Sequence, residues 1–134
     1  MRFMMLVIPE DYEKAAADAV PSVESVEAMA KYNESLTKAG VLLALDGLHP
    51  PASGTRVFFP GGKPRVVDGP FTEAKALIGG YWMIQVKSKE EAVEWASRVP
   101  AAAGQIRYIE VRQVFEMEEF LADVQAAAKW GGKN

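Results

Sequence analysis

Between two predicted strands the chain carries a short, rigid turn that fixes where one strand ends and the next begins. The turn is Asp68-Gly69-Pro70-Phe71-Thr72-Glu73-Ala74-Lys75, and Gly79-Gly80-Tyr81-Trp82 follows closely. The Asp68 side chain can cap the turn, Gly69 permits unusual backbone angles, and Pro70 fixes its own φ. Polar groups held on stiff backbone beside an aromatic strand indicate a functional site. A loop whose polar side chains only satisfy backbone amides is the competing interpretation.

Two helices are predicted from capping residues and apolar spacing. Ser22 is a candidate N-cap for a helix that runs to Lys38 and ends at Gly40. The predicted apolar face of this helix carries Val26, Met29, Ala30 and Leu36. A capping box, Ser88-Lys89-Glu90-Glu91, opens the second helix. The apolar positions of the second helix, at spacings of three and four, are Ala92, Trp95, Ala96 and Val99.

The predicted strands alternate with these helices in two similar halves. They cover residues 2–8, 41–48, 80–86 and 106–115, and a hairpin of 55–59 and 65–67 flanks Pro60-Gly61-Gly62-Lys63-Pro64. Two strand–helix–strand units with right-handed crossovers give an α+β, ferredoxin-like sandwich with both helices on one face. We expect a single domain over residues 1–134, with a core of 1–115 and a C-terminal helix and tail over 116–134.

The sheet face opposite the helices is predicted to bind a second copy of the chain. Period-two alternation assigns to this face Tyr81, Met83, Gln85, Tyr108, Glu110 and Arg112. The first two strands, however, are apolar in both registers, so both of their faces favour burial. One layer of helices covers only one face, which indicates a homodimer packed sheet to sheet, with the polar groups enclosed between the subunits.

The turn and its neighbours resemble a known family. The runs 67–75 and 77–82 look like the signature of YCII-related proteins of the DGPF type, and 1–7, 39–43, 47–50 and 109–114 agree with it. The resemblance spans Met1 to about Phe115. It implies a dimeric α+β barrel with a pocket in each protomer. It also implies an Asp–His pair in the cleft, for which His49 and Asp68 are the closest match.

Composition excludes several functional classes. The 15 Lys and Arg against 18 Asp and Glu give a net charge of −3, without the basic surface that nucleic-acid binding requires. Cysteine is absent and histidine occurs once, which rules out thiolate chemistry and a His-rich zinc site within one chain. We expect no metal and no organic cofactor. The apolar run after Arg2 is too short to span a bilayer, so we expect a cytoplasmic protein without membrane contact.

His49 is the natural general acid or base because its side chain normally titrates near neutrality. A carboxylate from Asp46 or Asp68 would orient its ring. A regular strand would place Asp46 and His49 on opposite faces, whereas a bend at Gly47 would change this. A loop histidine that only caps a turn is the alternative.

Five further residues are candidates for substrate binding. Arg112 can anchor a carboxylate through two hydrogen bonds, or it can pair structurally with Glu110. Tyr81 and Tyr108 can line a pocket for a planar or apolar ligand, or they can pack at a dimer seam. Thr72 and Glu73 become polar wall groups if the turn folds over the pocket, and they are surface groups otherwise.

Three functions compete at this stage. One is a cofactor-free enzyme of the isomerase or lyase type that transfers protons on a carbonyl compound, with His49 as base, Asp68 orienting it and Arg112 with a tyrosine holding the substrate anion. Another is a non-catalytic metabolite-binding or regulatory accessory dimer that uses the same pocket. A purely structural assembly is less attractive because it gives the polar face no task.

Overall fold

The computed structural model describes residues 1–12, 15–71, 77–101 and 105–120. Two α-helices and six strands occur within these residues. The helices are α1 (Val23–Lys38) and α2 (Lys89–Ser97). The strands are β1 (Arg2–Pro9), β2 (Leu42–Gly47), β3 (Thr55–Phe58), β4 (Arg65–Asp68), β5 (Gly80–Gln85) and β6 (Ile106–Gln113).

Four strands form an antiparallel sheet in the order β2-β5-β1-β6, and β3 pairs with β4 in a separate hairpin. This order, with one helix in each strand–helix–strand half, confirms the predicted ferredoxin-like fold with an inserted hairpin. In the part of the chain that the structure describes, neither helix has the length and hydropathy needed to cross a membrane.

The predicted boundaries of α1 are confirmed, but its apolar face differs from the prediction. The Ser22 hydroxyl accepts a hydrogen bond from the Ser25 backbone N–H, and Gly40 ends the helix at a φ of 75°. Leu36 is fully buried, as expected, whereas Val26 is 53% exposed and Tyr32 is buried. Tyr32 can be buried because its hydroxyl donates to the Trp95 carbonyl at 2.7 Å.

The N-terminus of α2 is capped at the predicted residue, with one difference in partner. The Ser88 hydroxyl accepts from the Glu91 backbone N–H at 3.1 Å. The Glu91 carboxylate accepts from the backbone N–H of Lys87, whereas a standard capping box would use that of Ser88. The second hydrogen bond of the predicted capping box is therefore made to the residue before the N-cap.

The core lies between the helices and one face of the sheet. Its most buried side chains come from β1, β5, α1 and α2, with Met5, Leu36 and Ile84 almost completely enclosed. Trp82 packs edge-on against Tyr32, with ring centroids 5.1 Å apart. Because side chains of both helices belong to this one cluster, both helices cover the same face of the sheet.

Strand β2 lies at the edge of the sheet and contains a one-residue bulge. Leu42 pairs with Ile84 and Ala44 with Met83, which leaves Leu43 as the extra residue. The prediction that this strand is buried is wrong for the single chain, because an edge strand has only one neighbour. Leu43 is 49% exposed and Leu45 is 37% exposed.

The last strand ends earlier than predicted. β6 ends at Gln113, and Phe115, the last residue of the predicted strand, is 62% exposed. Its ring packs instead near Phe120, with centroids 5.3 Å apart. Residues Met117–Glu119 form a 3₁₀ turn, and the remainder of the predicted C-terminal helix lies outside the described residues.

Candidate functional site

The main cavity lies between the N-terminal half of α1, the β1–α1 connection and the strand ends of the sheet. Its volume is about 610 Å³, within the range of small-molecule sites. Most of its described lining is apolar, and the walls include Val7, Met29, Leu45, Trp82 and Ile106. Among the described lining residues Asp46 is the sole charged one, with no Lys, Arg or His. The described walls of the cavity therefore offer mainly apolar contact.

One face of α1 supplies a wall of the main cavity. Val26, Met29, Ala30 and Asn33 recur at spacings of three and four and all belong to the lining. Asn33 is tied to the sheet, because its side-chain Oδ1 accepts a hydrogen bond from the Trp82 indole N–H at 2.7 Å. An aromatic ring and an amide are thus held in fixed relation within the cavity.

Asp46 and Tyr81 form a polar pair at the strand ends that border the main cavity. They are cross-strand partners in β2 and β5, and the Tyr81 hydroxyl donates to Asp46 Oδ2 at 2.8 Å. The hydrogen bond to the carboxylate, followed by desolvation and by the carboxylate charge, raises the pKa of Tyr81. The register assigns both side chains to the sheet face opposite the helices, while both residues also line the main cavity.

Tyr12 joins the β1–α1 connection to the end of β2. Its hydroxyl donates to the Leu48 carbonyl at 2.8 Å, and both residues line the main cavity. Partial burial raises the pKa of the Tyr12 phenol. Since its proton is committed to Leu48, the Tyr12 oxygen presents its lone pairs as a hydrogen-bond acceptor.

His49 lines a second, shallower cavity of about 470 Å³ beside the β3–β4 hairpin. Arg56 also lines it, with its guanidinium carbon 3.9 Å from the centroid of the Phe71 ring. Leu48 and Pro50 belong to the linings of both cavities, so the two sites are adjacent. Within the described residues, His49 makes neither a hydrogen bond nor an ion pair with another side chain.

Asp68 is engaged elsewhere. Its carboxylate accepts a hydrogen bond from the Thr55 hydroxyl at 2.9 Å, and these two residues are cross-strand partners in the hairpin. In the described part of the chain no hydrogen bond joins Asp68 to His49. Asp46, the other proposed partner of His49, is bonded to Tyr81.

The rigid turn packs against the loop that carries Pro51. The Gly69 backbone N–H donates to the Gly54 carbonyl at 2.8 Å. A Cβ atom at Gly69 would lie 2.6 Å from the Pro51 carbonyl oxygen, so only glycine permits this approach. Thr72 and Glu73, the other proposed residues of the turn, lie outside the described residues.

Arg112 and Tyr108 lie away from both cavities. The register assigns both to the sheet face opposite the helices, and both are exposed. Arg112 pairs with Glu110, with 3.5 Å between the guanidinium and carboxylate atoms, as in the structural alternative considered for this residue. Of the tyrosines proposed from sequence, Tyr81 therefore lines the main cavity and Tyr108 does not.

Sequence reasoning missed two polar residues of the main cavity, Tyr12 and Asn33, and it also missed the pairing of Asp46 with Tyr81. Tyr12 lies in a segment without periodicity, and Asn33 is one of several polar residues in α1. The continuation of the α1 spacing from Val26 through Met29 to Asn33 was the available signal for Asn33. No local sequence pattern predicts the Asp46–Tyr81 pair.

Comparisons with known proteins agree with this architecture. The sequence model of the YCII-related domain matches residues 1–118. A solved structure with a similar fold is 5-chloro-2-hydroxyhydroquinone dehydrochlorinase from Burkholderia phenoliruptrix AC1100, in complex with 2,5-dihydroxybenzoquinone. The sequences are 14% identical, the superposition covers 87% of this chain and 95% of that chain, and the TM-score is 0.50, which is a likeness of fold. No curated protein sequence matches the chain.

Proposed function

This chain belongs to the YCII-related domain family, and on that premise we propose that it is a small-molecule-binding protein whose ligand occupies the main cavity. The observation that carries the proposal is a partly open cavity of about 610 Å³ with mostly apolar walls and a few fixed polar groups. This combination is typical of ligand sites, in which apolar contact supplies affinity and a few polar groups supply orientation. Binding is the function that the geometry supports best.

The ligand we propose is a compact cyclic molecule with apolar faces and a polar edge. Trp82 and the aliphatic side chains of α1 offer apolar contact, and Asn33 and Tyr12 offer hydrogen bonds. The structural neighbour is described in complex with a small oxygenated ring, which supports a ligand of this general size for the fold.

A cavity-filling substitution tests the site. We use 1-tetralone, a neutral bicyclic ketone, as the probe and measure binding by calorimetry. Ala30→Phe places a ring in the cavity from α1 and should abolish binding. Lys31→Phe is the matched control, because Lys31 is exposed on the same helix and is not part of the described lining. Equal binding by both variants would show that the ligand lies elsewhere.

Proton-transfer catalysis on the bound molecule is a second candidate. The Asp46–Tyr81 hydrogen bond favours it, because a carboxylate and a phenol in contact can accept and return a proton. Since both side chains lie on the sheet face opposite the helices, the reacting carbon of the ligand must extend past the strand ends to reach them. Exchange of the ketone α-hydrogens for deuterium, followed by NMR in D₂O, provides the assay. Catalysis predicts that Asp46→Asn slows exchange and leaves probe affinity within about 2-fold. A wild type that binds the probe without accelerating exchange would be a binder only.

The Asp68–His49 pair is the other proposed source of a base. It requires His49, beside the second cavity, to reach both Asp68 and a ligand, and the adjacency of the two cavities supports this placement. ¹⁵N NMR of the His49 ring in the wild type and in Asp68→Asn tests the pair. A hydrogen-bonded pair predicts that the substitution changes the chemical shifts of His49 Nδ1 and Nε2. Unchanged shifts would reject the dyad.

We also propose a homodimer through the sheet face opposite the helices. Met4, Leu6 and Met83 contribute apolar side chains to that face and are half-buried, and Tyr108 is 40% exposed there. Light scattering after gel filtration measures the mass. Tyr108→Glu should produce monomers, whereas Val93→Glu, at a residue of α2 that is 44% exposed, should not. A wild type that elutes as a monomer would refute this arrangement.

A further inference from the structure

The side-chain amide of Asn33 has only one possible orientation. The Trp82 indole nitrogen is a donor and never an acceptor, so its partner must be the amide oxygen. The 2.7 Å contact is made by Asn33 Oδ1, in agreement with this requirement. Trp82 is 5% exposed and packs against Tyr32, which holds the indole in place. The Asn33 NH₂ group is therefore the end that remains available.

The Asn33 NH₂ group has no protein acceptor among the described residues. Its backbone carbonyl accepts from the Thr37 hydroxyl, but the side-chain nitrogen donates to no described group. Asn33 and Trp82 both line the main cavity, and the other α1 residues of the lining are Ser25, Val26, Met29 and Ala30. A ligand that fills the cavity displaces water from the Asn33 NH₂ group. An acceptor atom on the ligand at that point is therefore favourable, because a polar group that loses its water without gaining a partner is unfavourable.

The charges along the described lining favour a neutral group as the ligand atom that accepts from Asn33. Within the described lining Asp46 is the sole charged residue, and no cation accompanies it to hold a carboxylate or phosphate. A neutral carbonyl oxygen meets both conditions, since it accepts hydrogen bonds and carries no charge. Tyr12, whose proton is committed to the Leu48 carbonyl, adds an acceptor that suits a hydroxyl elsewhere on the ligand.

We propose that Asn33 is a specificity-determining residue that donates its side-chain N–H to a carbonyl oxygen, so that the main cavity selects neutral cyclic ketones and quinones over hydrocarbons and carboxylates of the same shape. This inference rests on the proposed function, because it names the ligand class of the same cavity. Trp82 is a positioning residue in this scheme, since it acts only by orienting the amide.

Two matched probes separate the hydrogen bond from the cavity. 1-Tetralone and tetralin have the same ring system, and only the ketone carries an oxygen. We expect the wild type to bind the ketone roughly 3- to 10-fold more tightly than the hydrocarbon, the usual net effect of one hydrogen bond. 1-Naphthoate, a carboxylate of similar size, should bind more weakly than either.

Asn33→Asp is the decisive variant. It keeps an oxygen to accept from Trp82 but replaces the donor by an acceptor. We expect ketone affinity to fall about 10-fold, while tetralin affinity changes by less than about 2-fold. Infrared spectroscopy adds a readout that a merely structural role would not move. The ketone C=O stretch of the bound probe should lie at lower frequency in the wild type than in the variant.

The outcomes distinguish this inference from the proposed function. If Asn33→Asp binds both probes as tightly as the wild type, or loses affinity for both equally, the Asn33 contact is refuted. The Ala30→Phe result then decides separately whether the probes bind in the main cavity. A bound ketone in the wild type whose C=O band matches that in an apolar solvent also refutes the contact. If the wild type binds neither tetralone nor tetralin, both proposals are rejected.

Discussion

Asp46 and Tyr81 face each other across β2 and β5, and the phenol donates to the carboxylate at 2.8 Å. This bond stabilises the protonated phenol, so the pKa of Tyr81 is raised. We predict that Asp46→Asn lowers the pKa of Tyr81, because a neutral amide is a weaker acceptor and removes the negative charge. Titration of ¹³Cζ-labelled tyrosine by NMR measures it. Tyr108 provides the internal control, and a Tyr81 titration unaltered by the substitution would contradict the prediction.

The Trp82–Asn33 bond is predicted to contribute to stability. Asn33→Ala leaves the buried indole N–H without its partner and should lower the free energy of unfolding by about 1–3 kcal/mol. Asn33→Asp retains an acceptor and should lower it by less. Urea unfolding of the three proteins gives the comparison, and equal losses for the two variants would show that the hydrogen bond is not the cause.

Gly47 and Gly80 are cross-strand partners at the end of the β2–β5 ladder, but substitution by alanine is predicted to affect stability very differently at the two positions. A Cβ atom at Gly80 would lie 2.8 Å from the Asp46 carbonyl oxygen, whereas one at Gly47 would meet no atom within 4 Å. Gly80→Ala should therefore lower the free energy of unfolding by about 1–3 kcal/mol. Gly47→Ala should change it by less than about 0.5 kcal/mol. Chemical denaturation decides between this order and its reverse.

Tyr32 is predicted to weaken the fold at alkaline pH. Burial raises the pKa of its phenol to about 12, against a small opposing effect of the Arg98 charge. An unfolded tyrosine ionises near pH 10, so the folded state holds the proton longer, and stability falls as the pH rises from about 10 towards 12. By pH 11.5 the loss should reach about 2 kcal/mol.

Tyr32→Phe isolates this effect, because phenylalanine cannot ionise. Urea unfolding at pH 9 and at pH 11.5 should show the wild type losing stability relative to the variant by that amount. A difference between the two proteins that stays constant with pH would mean that Tyr32 ionises equally in the folded and unfolded states.

The ion pair between Arg2 and Glu116 is predicted to matter at neutral pH and to disappear in acid. The Arg2 Nε and Nη2 atoms lie 2.9 and 3.1 Å from the two carboxylate oxygens. This hydrogen bonding, assisted by the Arg2 charge, lowers the pKa of Glu116. The stabilisation is therefore complete above the unfolded value of about 4.3 and is lost as the pH falls through the folded pKa.

Thermal unfolding of Glu116→Gln tests the pair. The variant should melt below the wild type at pH 7, and the two melting temperatures should converge near pH 2.5. Glu118→Gln serves as the control, because Glu118 makes no ion pair within the described residues. If Glu118→Gln lowered the melting temperature at pH 7 as much as Glu116→Gln does, the effect would come from the change in net charge and not from the ion pair.

Features that depend on neighbouring residues could be predicted from the sequence. The start of α1 at Ser22 and its end at Gly40 follow from hydrogen bonds and backbone angles within a few residues, and the structure confirms both. The hairpin around Pro60 is local in the same sense. The burial of Tyr32 was missed because its polar atom is satisfied by Trp95, which is distant in the sequence.

The candidate site was harder to predict because it depends on register. Asp46 and Tyr81 are 35 residues apart in the sequence, and which strand residues meet is decided by the bulge at Leu43. The run of leucines around that position gives no sign of an extra residue. Reasoning from the sequence therefore selected His49 and Asp68, which stand out as residues at strand ends, and it did not find the Asp46–Tyr81 pair, which forms between two strands of the sheet.

The bulge at Leu43 also bears on how proteins of this architecture diverge. If that one residue were deleted, Ala44 would follow Leu42 in a regular ladder, and Asp46 would still stand opposite Tyr81. Loss of a single codon at this point of the edge strand would thus leave the polar pair, the strand order and the helix layer unchanged. The bulge is therefore a place where relatives can differ in length by one residue and keep the same pair of side chains.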